Sequence, residues 1–162
     1  MKIVVMSDSH GSAGAVFRVI RKHTDADLFI HLGDGAIEVK AARGILGEDA
    51  HKLRSVRGNC DAPSDDVPLQ MTIDLPYGHK ILAAHGHAFQ IKASTGTIRD
   101  EAHRLGCDIL LYGHTHVRQN SWNDGLYIVN PGSLSHPRDG RPPGYAVISV
   151  SEKGILVSEM DL

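Results

Sequence analysis

Cysteine is scarce: Cys60 and Cys107 are the only two in 162 residues. Two cysteines give no disulfide framework, so a reducing, cytoplasmic setting is the simpler expectation. Excess charge is lacking as well. The formal net charge is −2 with histidine neutral, so no basic field marks a membrane surface or a nucleic-acid polymer as partner. Long apolar runs are missing. No stretch approaches the roughly 20 residues of a membrane span. The first apolar run, Ile3 to Met6, is far too short for the core of a signal peptide and ends in Ser7-Asp8-Ser9-His10. No internal repeat, low-complexity tract or linker interrupts the chain, so residues 1–162 are expected to form one domain with its own hydrophobic core. What the sequence has in excess is histidine, with eleven residues.

Several of those histidines stand where an apolar run stops. Ile3-Val4-Val5-Met6 reads as a central strand covered on both faces and runs into Asp8-Ser9-His10-Gly11. If extended, Asp8 and His10 point the same way; Asp8, Ser9 or Ser12 is alternatively the cap of the helix that follows. Ala13 to Lys22 carries Val16, Val19 and Ile20 at helical spacing. Leu28-Phe29-Ile30 is a second strand leading to Gly33-Asp34-Gly35. Strand, helix, strand implies a right-handed crossover with parallel pairing, which places Asp34 at the same carboxyl edge as Asp8. His31 reads as a packed histidine rather than a ligand. A second helix is expected over Ala36 to Leu46, and a weaker strand, Leu53 to Val56, ends in Gly58-Asn59-Cys60-Asp61. The Asn59 carbonyl is a competent neutral ligand, and Asp61 reads as its partner in an Asx-type turn. Ala62 to Leu69 reads as a loop.

The second half repeats the pattern. Met71 to Leu75 and Lys80 to Ala84 read as an antiparallel hairpin, and the latter strand stops at His85-Gly86-His87. Ser94 to Leu105 is expected to be a third helix, capped by Ser94 or Thr95 and closed by Gly106. Ile109 to Tyr112 is a buried strand that ends in Gly113-His114-Thr115-His116. Asn120 to Trp122 and Leu126 to Val129 form a hairpin across Asn123-Asp124-Gly125. Asn130-Pro131-Gly132-Ser133 is a turn, Ser135 to Gly144 a long loop, and the strands Tyr145 to Val150 and Ile155 to Met160 close the chain.

The strand-end donors are Asp8, His10, Asp34, Asn59, His85, His114 and His116. Two carboxylates, one amide and four imidazoles are too many for one four-coordinate zinc and wrong for a cysteine-rich structural site. They fit two divalent ions about 3.5–4 Å apart, bridged by one carboxylate. Asp34, flanked by glycines, is the natural bridge. Two such ions and two carboxylates leave a net cationic cleft, which attracts phosphate and brings the pKa of bound water from 15.7 towards roughly 7.

Asp8-x-His10, Gly33-Asp34, Gly58-Asn59, His85 and Gly113-His114-x-His116, in that order, resemble the signature of the calcineurin-like metallophosphoesterases. The short chain and the Asn130-Pro131-Gly132-Ser133 stretch look most like the small prokaryotic phosphodiesterase branch. The resemblance implies an α/β fold, a four-layer α/β/β/α sandwich of two mixed β-sheets flanked by helices. It implies that Asp8, His10 and His116 hold one ion, that Asn59, His85 and His114 hold the other, and that Asp34 bridges them. A bridging hydroxide would then attack phosphorus in line. Manganese is the expected metal; iron, nickel, cobalt and zinc also suit the donors.

One position departs from the family pattern. Larger members usually carry a histidine after the Gly-Asn pair, and that histidine helps protonate the leaving group. Cys60 stands there. It joins Asp34, Asn59 and His85 as a candidate catalytic residue, but a cationic site would push its thiol towards thiolate and make it a weak acid. A small buried filler is the competing reading for Cys60. Good leaving groups are therefore expected to be preferred. Arg138 is a candidate contact to a substrate phosphoryl oxygen. His87 is a candidate contact to substrate or an orienting partner of His85, the latter being favoured. A small phosphodiester is the expected partner, with self-association left open. A phosphomonoesterase or nucleotide pyrophosphatase, or a non-catalytic scaffold resembling the small subunit of retromer, is the alternative.

Overall fold

The computed structural model describes residues 1–64 and 66–162. Asp65, within the expected loop Ala62 to Leu69, lies outside the described residues. Among those described, ten strands form two five-stranded sheets. The first sheet contains β1 (Lys2–Met6), β2 (Leu28–His31), β3 (Leu53–Ser55), β9 (Gly144–Ser151) and β10 (Gly154–Asp161), in the order β10-β9-β1-β2-β3. The second contains β4 (Gln70–Asp74), β5 (Lys80–Ala84), β6 (Ile109–Tyr112), β7 (Gln119–Asn123) and β8 (Leu126–Asn130), in the order β4-β5-β6-β8-β7. Both sheets are mixed. β1, β2 and β3 are parallel, as are β5, β6 and β8, whereas the flanking strands run antiparallel.

Side-chain alternation builds the layers. Ile3, Val5 and Ile30 point to one face of the first sheet and pack on Ile81, Ala83, Ile109 and Leu111 of the second. The intervening residues Val4, Met6 and Phe29 point the other way, onto Val16 and Val19 of α1 (Ala13–Lys22) and Val39 of α2 (Ala36–Leu46). Leu82, Leu110 and Ile128 cover Ile98 and Ala102 of α3 (Gly96–Arg104) in the same manner. Because residues one apart in a strand serve opposite faces, runs such as Ile3–Met6 must be continuously apolar. Each buried Val, Leu or Ile contributes roughly 1.5–3 kcal/mol relative to exposure. Helices, sheet, sheet and helix are the four layers expected.

α1 and α2 begin and end where their periodicity places them. α3 starts two residues later than expected, because the Ser94 hydroxyl accepts the Gly96 N–H at 3.0 Å and turns the chain before the helix begins. The β7–β8 hairpin turns on Asp124 and Gly125, with φ of 53° and 74°, the conformation of a type I′ loop. No helix among the described residues is long and apolar enough to cross a membrane.

The parallel strands set the stage for chemistry. β1, β2 and β3, and β5 and β6, all deliver their carboxyl ends to one rim, where ligands of α/β sheets bind. Backbone crosslinks continue past the strands: Leu32 N–H bonds to Met6 O at 2.8 Å, Asp8 N–H to Gly33 O at 3.1 Å, and His10 N–H to Asp34 O at 3.0 Å.

Candidate metal centre

The rim brings all seven expected donors together, in two sets sharing one oxygen. In the first set His116 Nε2 lies 3.1 Å from Asp8 Oδ1 and 3.3 Å from His10 Nε2. In the second, His85 Nε2 lies 3.1 Å from Asn59 Oδ1 and 3.2 Å from His114 Nδ1. Asp34 Oδ2 stands between them, 3.7 Å from His10 Nε2 and 3.5 Å from His85 Nε2. Donors that share an ion at about 2.0–2.2 Å sit about 3.0–3.5 Å from each other. Asp8 is fully buried, yet its Oδ1 accepts no hydrogen bond. A buried carboxylate oxygen left so is costly unless a cation meets it. The residues therefore fit a pair of divalent ions.

Backbone geometry supports the same reading. Asp8, His10, Asp34, His114 and His116 all have positive φ, between 40° and 65°. L-residues adopt this conformation at a cost, and such strain concentrates at functional sites. It also answers how His114 and His116, two apart, face different sets: neither is extended. No side chain caps α1, so the capping role considered for Asp8, Ser9 and Ser12 is not used.

Two imidazoles are fixed by carbonyls. His85 Nδ1 lies 2.7 Å from Leu32 O, and His116 Nδ1 lies 2.7 Å from His136 O. A carbonyl can only accept, so each Nδ1 carries hydrogen and donates it. Each Nε2 is thereby aimed into the centre. Burial acts to raise the Asp8 and Asp34 pKa values, but the neighbouring imidazoles of His116 and His85 respectively hold both below the ordinary carboxylate value. The Asp8 interaction raises His116; burial opposes protonation of His85, and the Asp34 interaction overcomes it. Burial, with the charges of His85 and Lys92, pushes His114 down to about 4. The carboxylates thus favour positive charge at the two points where the donor atoms converge.

Cys60 is exposed at the mouth, not a buried filler. Its backbone N–H donates to Asp34 Oδ1 at 2.8 Å, and Asn59 Nδ2 donates to its sulfur at 3.3 Å. Without metal, burial and the Asp34 carboxylate push the Cys60 thiol up. His87 is beside the centre, its ring 5.3 Å from that of His85, but no hydrogen bond joins them. Leu32 O does the orienting that His87 was expected to do. Arg138 donates its backbone N–H to His116 O at 2.9 Å, and its side chain is exposed.

Supporting residues escaped the sequence reading. Asp61 is more than an Asx-turn partner: besides Gly58 N–H, its carboxylate accepts the N–H groups of Asp34, Gly35 and Ala36. Buried Glu38 accepts Gly11 N–H at 2.6 Å and the Ser9 hydroxyl at 2.9 Å, pinning the Asp8–Gly11 turn. Ser133 and Ser135 donate to Asp8 O, and His136 supplies the carbonyl behind His116. An acidic residue at a helix start is a legible signal for Glu38; nothing local marks Asp61 as the anchor of the Asp34 turn, since three of its four partners lie 25 to 27 residues away. His31 is buried against Ser9, as a packed histidine.

Two mixed sheets whose shared rim gathers these donors form a candidate metal centre of the kind the sequence resemblance implies. The chain belongs to the calcineurin-like phosphoesterase superfamily, whose domain model matches residues 1–153. It is similar to the Bacillus subtilis (strain 168) protein named Probable metallophosphoesterase YsnB, with 30% identity over 163 residues, covering 99% of this chain and 91% of that protein. Phosphodiesterase YfcE of Escherichia coli (strain K12) is 32% identical over 168 residues, covering 91% of this chain and 87% of that one. A Streptococcus pneumoniae TIGR4 crystal structure, described as a predicted phosphoesterase, superposes with a TM-score of 0.82 at 30% identity, covering 99% of this chain and 88% of that one.

Proposed function

We propose that this chain is a dinuclear metal-dependent phosphodiesterase acting on small diesters in the cytoplasm, with manganese as the favoured metal. The observation that carries the reading is the position of Asp34 Oδ2, within 3.7 Å of His10 Nε2 and 3.5 Å of His85 Nε2. Asp8, His10 and His116 would hold one ion with Asp34; Asn59, His85 and His114 would hold the other. When bound, a divalent pair supplies water acidified towards neutrality and offsets charge on the phosphoryl oxygens.

The chain's own groups do the rest. Leu32 O and His136 O lock the His85 and His116 tautomers, so neither ring has to reorganise during turnover. Cys60 N–H fixes the Asp34 carboxylate plane from the side away from the donors. The Cys60 thiol, at the mouth, is the group placed to give a proton to a departing oxygen, and a thiol does so weakly. Substrates whose leaving group needs no proton follow from that. His87 and Arg138 border the entrance and contact the bound diester. The relative named a phosphodiesterase supports diesters as the substrate class.

The test is a panel of divalent metals with bis-aryl and mono-aryl phosphates, run beside Asp34→Ala. Metal-dependent hydrolysis favouring the diester, abolished in the variant, is expected. Faster turnover of the monoester would favour a phosphomonoesterase. No hydrolysis with any metal would favour the scaffold.

A further inference from the structure

Beside the His114–His116 loop lies an open groove of about 540 Å³, within the size range of small-ligand sites. Thr115, between the two histidines, forms part of its wall, so the groove adjoins the candidate metal centre. Ile91 and Val117 supply apolar surface. Its charged lining is Lys92, Arg118 and Arg138, with no carboxylate. That asymmetry is local, since acidic residues outnumber basic ones, 19 to 17, in the whole chain.

The three cations are not equivalent. The Arg118 guanidinium lies 2.9 Å from Asp161 Oδ1 and donates to Pro142 O, so its charge is used in tying the 132–144 loop to β10. Lys92 and Arg138 have no ion-pair or side-chain hydrogen-bond partner among the described residues. Both are exposed, on two separate loops that line the groove. Two uncommitted cations therefore line one groove that adjoins the candidate metal centre.

We infer that this groove is an accessory anion subsite, which binds the ester arm retained on phosphorus when that arm carries a second phosphate or phosphonate. The inference rests on the phosphodiesterase reading and narrows its substrate class to diesters with a charged arm. Lys92 and Arg138 would clasp the terminal anion, and Ile91 and Val117 would cover the carbon spacer. A second anion so held makes charge-assisted hydrogen bonds that an alkyl arm cannot.

Two p-nitrophenyl diesters with the same leaving group test it. One carries an ethyl arm, the other a 2-phosphonoethyl arm. The manganese-loaded protein is expected to show kcat/KM at least about tenfold higher for the charged arm, with the gain in KM. Lys92→Gln is expected to cut that ratio at least about fivefold. A ratio near one, or one unchanged in Lys92→Gln, overturns the subsite. Calorimetric titration of the loaded protein with ethyl 2-phosphonoethyl phosphate against diethyl phosphate reads binding alone. An affinity preference for the charged arm, lost in Lys92→Gln, supports the groove even if no aryl diester is hydrolysed, in which case the phosphodiesterase reading alone fails. Equal affinities overturn the groove whatever the turnover.

Discussion

The Asp61 carboxylate accepts the backbone N–H of Asp34 at 2.9 Å, so an acid at the end of one loop holds the carboxylate-bearing turn of another. The same group accepts Gly35 and Ala36 N–H, both at 2.9 Å, and Gly58 N–H at 2.8 Å. It is the cap of α2 supplied from outside that helix. Losing a cap costs about 0.5–2 kcal/mol, and an unpaired buried N–H about 1–3 kcal/mol. Asp61→Ala is expected to lower unfolding free energy by about 2–3 kcal/mol in urea with chelator present. Metal affinity should fall as well, because Asp34 and Asn59 lose their common anchor. An Ala variant as stable as the parent would show that water replaces the carboxylate at no cost.

Cys60 occupies the position nearest the mouth, with its backbone committed to Asp34 and its sulfur free to meet solvent. A histidine there would be a better proton donor near neutral pH, and general-acid assistance is worth about 10²–10⁴-fold where a leaving group needs it. Cys60→His is therefore expected to lower the ratio of bis-aryl to alkyl-monoester turnover by about tenfold or more. Steady-state assays of both substrates decide it. An unchanged ratio would remove the thiol from the account of selectivity.

Layer order, strand pairing and the rim were legible because they depend on local patterns. A run such as Ile3–Met6 announces a two-faced strand, and the intervening helix forces parallel pairing. The seven donors were legible because each directly follows such a run. The supports were not. Asp61, Glu38, Ser133 and the carbonyls of Leu32 and His136 act across 20 to 125 residues of sequence. A carbonyl has no side-chain identity to read. The positive φ of His10 and His114 was also hidden, since glycine is the residue that advertises it. The orienting of His85 falls to a carbonyl rather than to His87, whose ring lies beside that of His85 without a hydrogen bond between them.

His23 lies buried at the end of α1, with Nε2 3.0 Å from the Tyr145 hydroxyl. Burial first, then the charges of Lys2 and Lys22, lower its pKa below the ordinary 6.5. The unfolded chain consequently takes up this proton before the folded one. The stabilisation is complete above pH 6.5 and is lost as pH falls from there towards the folded value. One such group contributes a slope of at most about 1.4 kcal/mol per pH unit. Urea unfolding between roughly pH 7.5 and 5.5, with chelator, should show a shallower loss in His23→Gln than in the parent. Identical slopes would assign the acid sensitivity to other groups, buried His31 first among them.

Gly58 and Gly33 bring two loops into backbone contact, and that contact sets where Asp34 sits. A Cβ at Gly58 would lie 2.0 Å from Asp34 Oδ1 and 2.3 Å from Asp34 N. A Cβ at Gly33 would lie 2.6 Å from Gly58 N, on a backbone already at φ 99°. Neither clash can be relieved by turning a flexible side-chain end, since backbone atoms are involved in both. Gly58→Ala must displace Asp34 by an ångström or so, and a site held by one shared oxygen cannot follow. Metal affinity is expected to fall at least about tenfold, with a stability loss of about 1–3 kcal/mol under chelation, the usual cost of overpacking. Gly44 supplies the contrast. It lies in α2 with nothing within 4 Å of its Cβ position, so Gly44→Ala should stabilise by up to about 1 kcal/mol and leave metal binding unchanged. Opposite signs for the same chemical change, read by urea unfolding and metal titration, separate close approach from mere flexibility. Two ions bound by Gly58→Ala as tightly as by the parent would mean that the position of Asp34 is not what the Gly58 backbone secures.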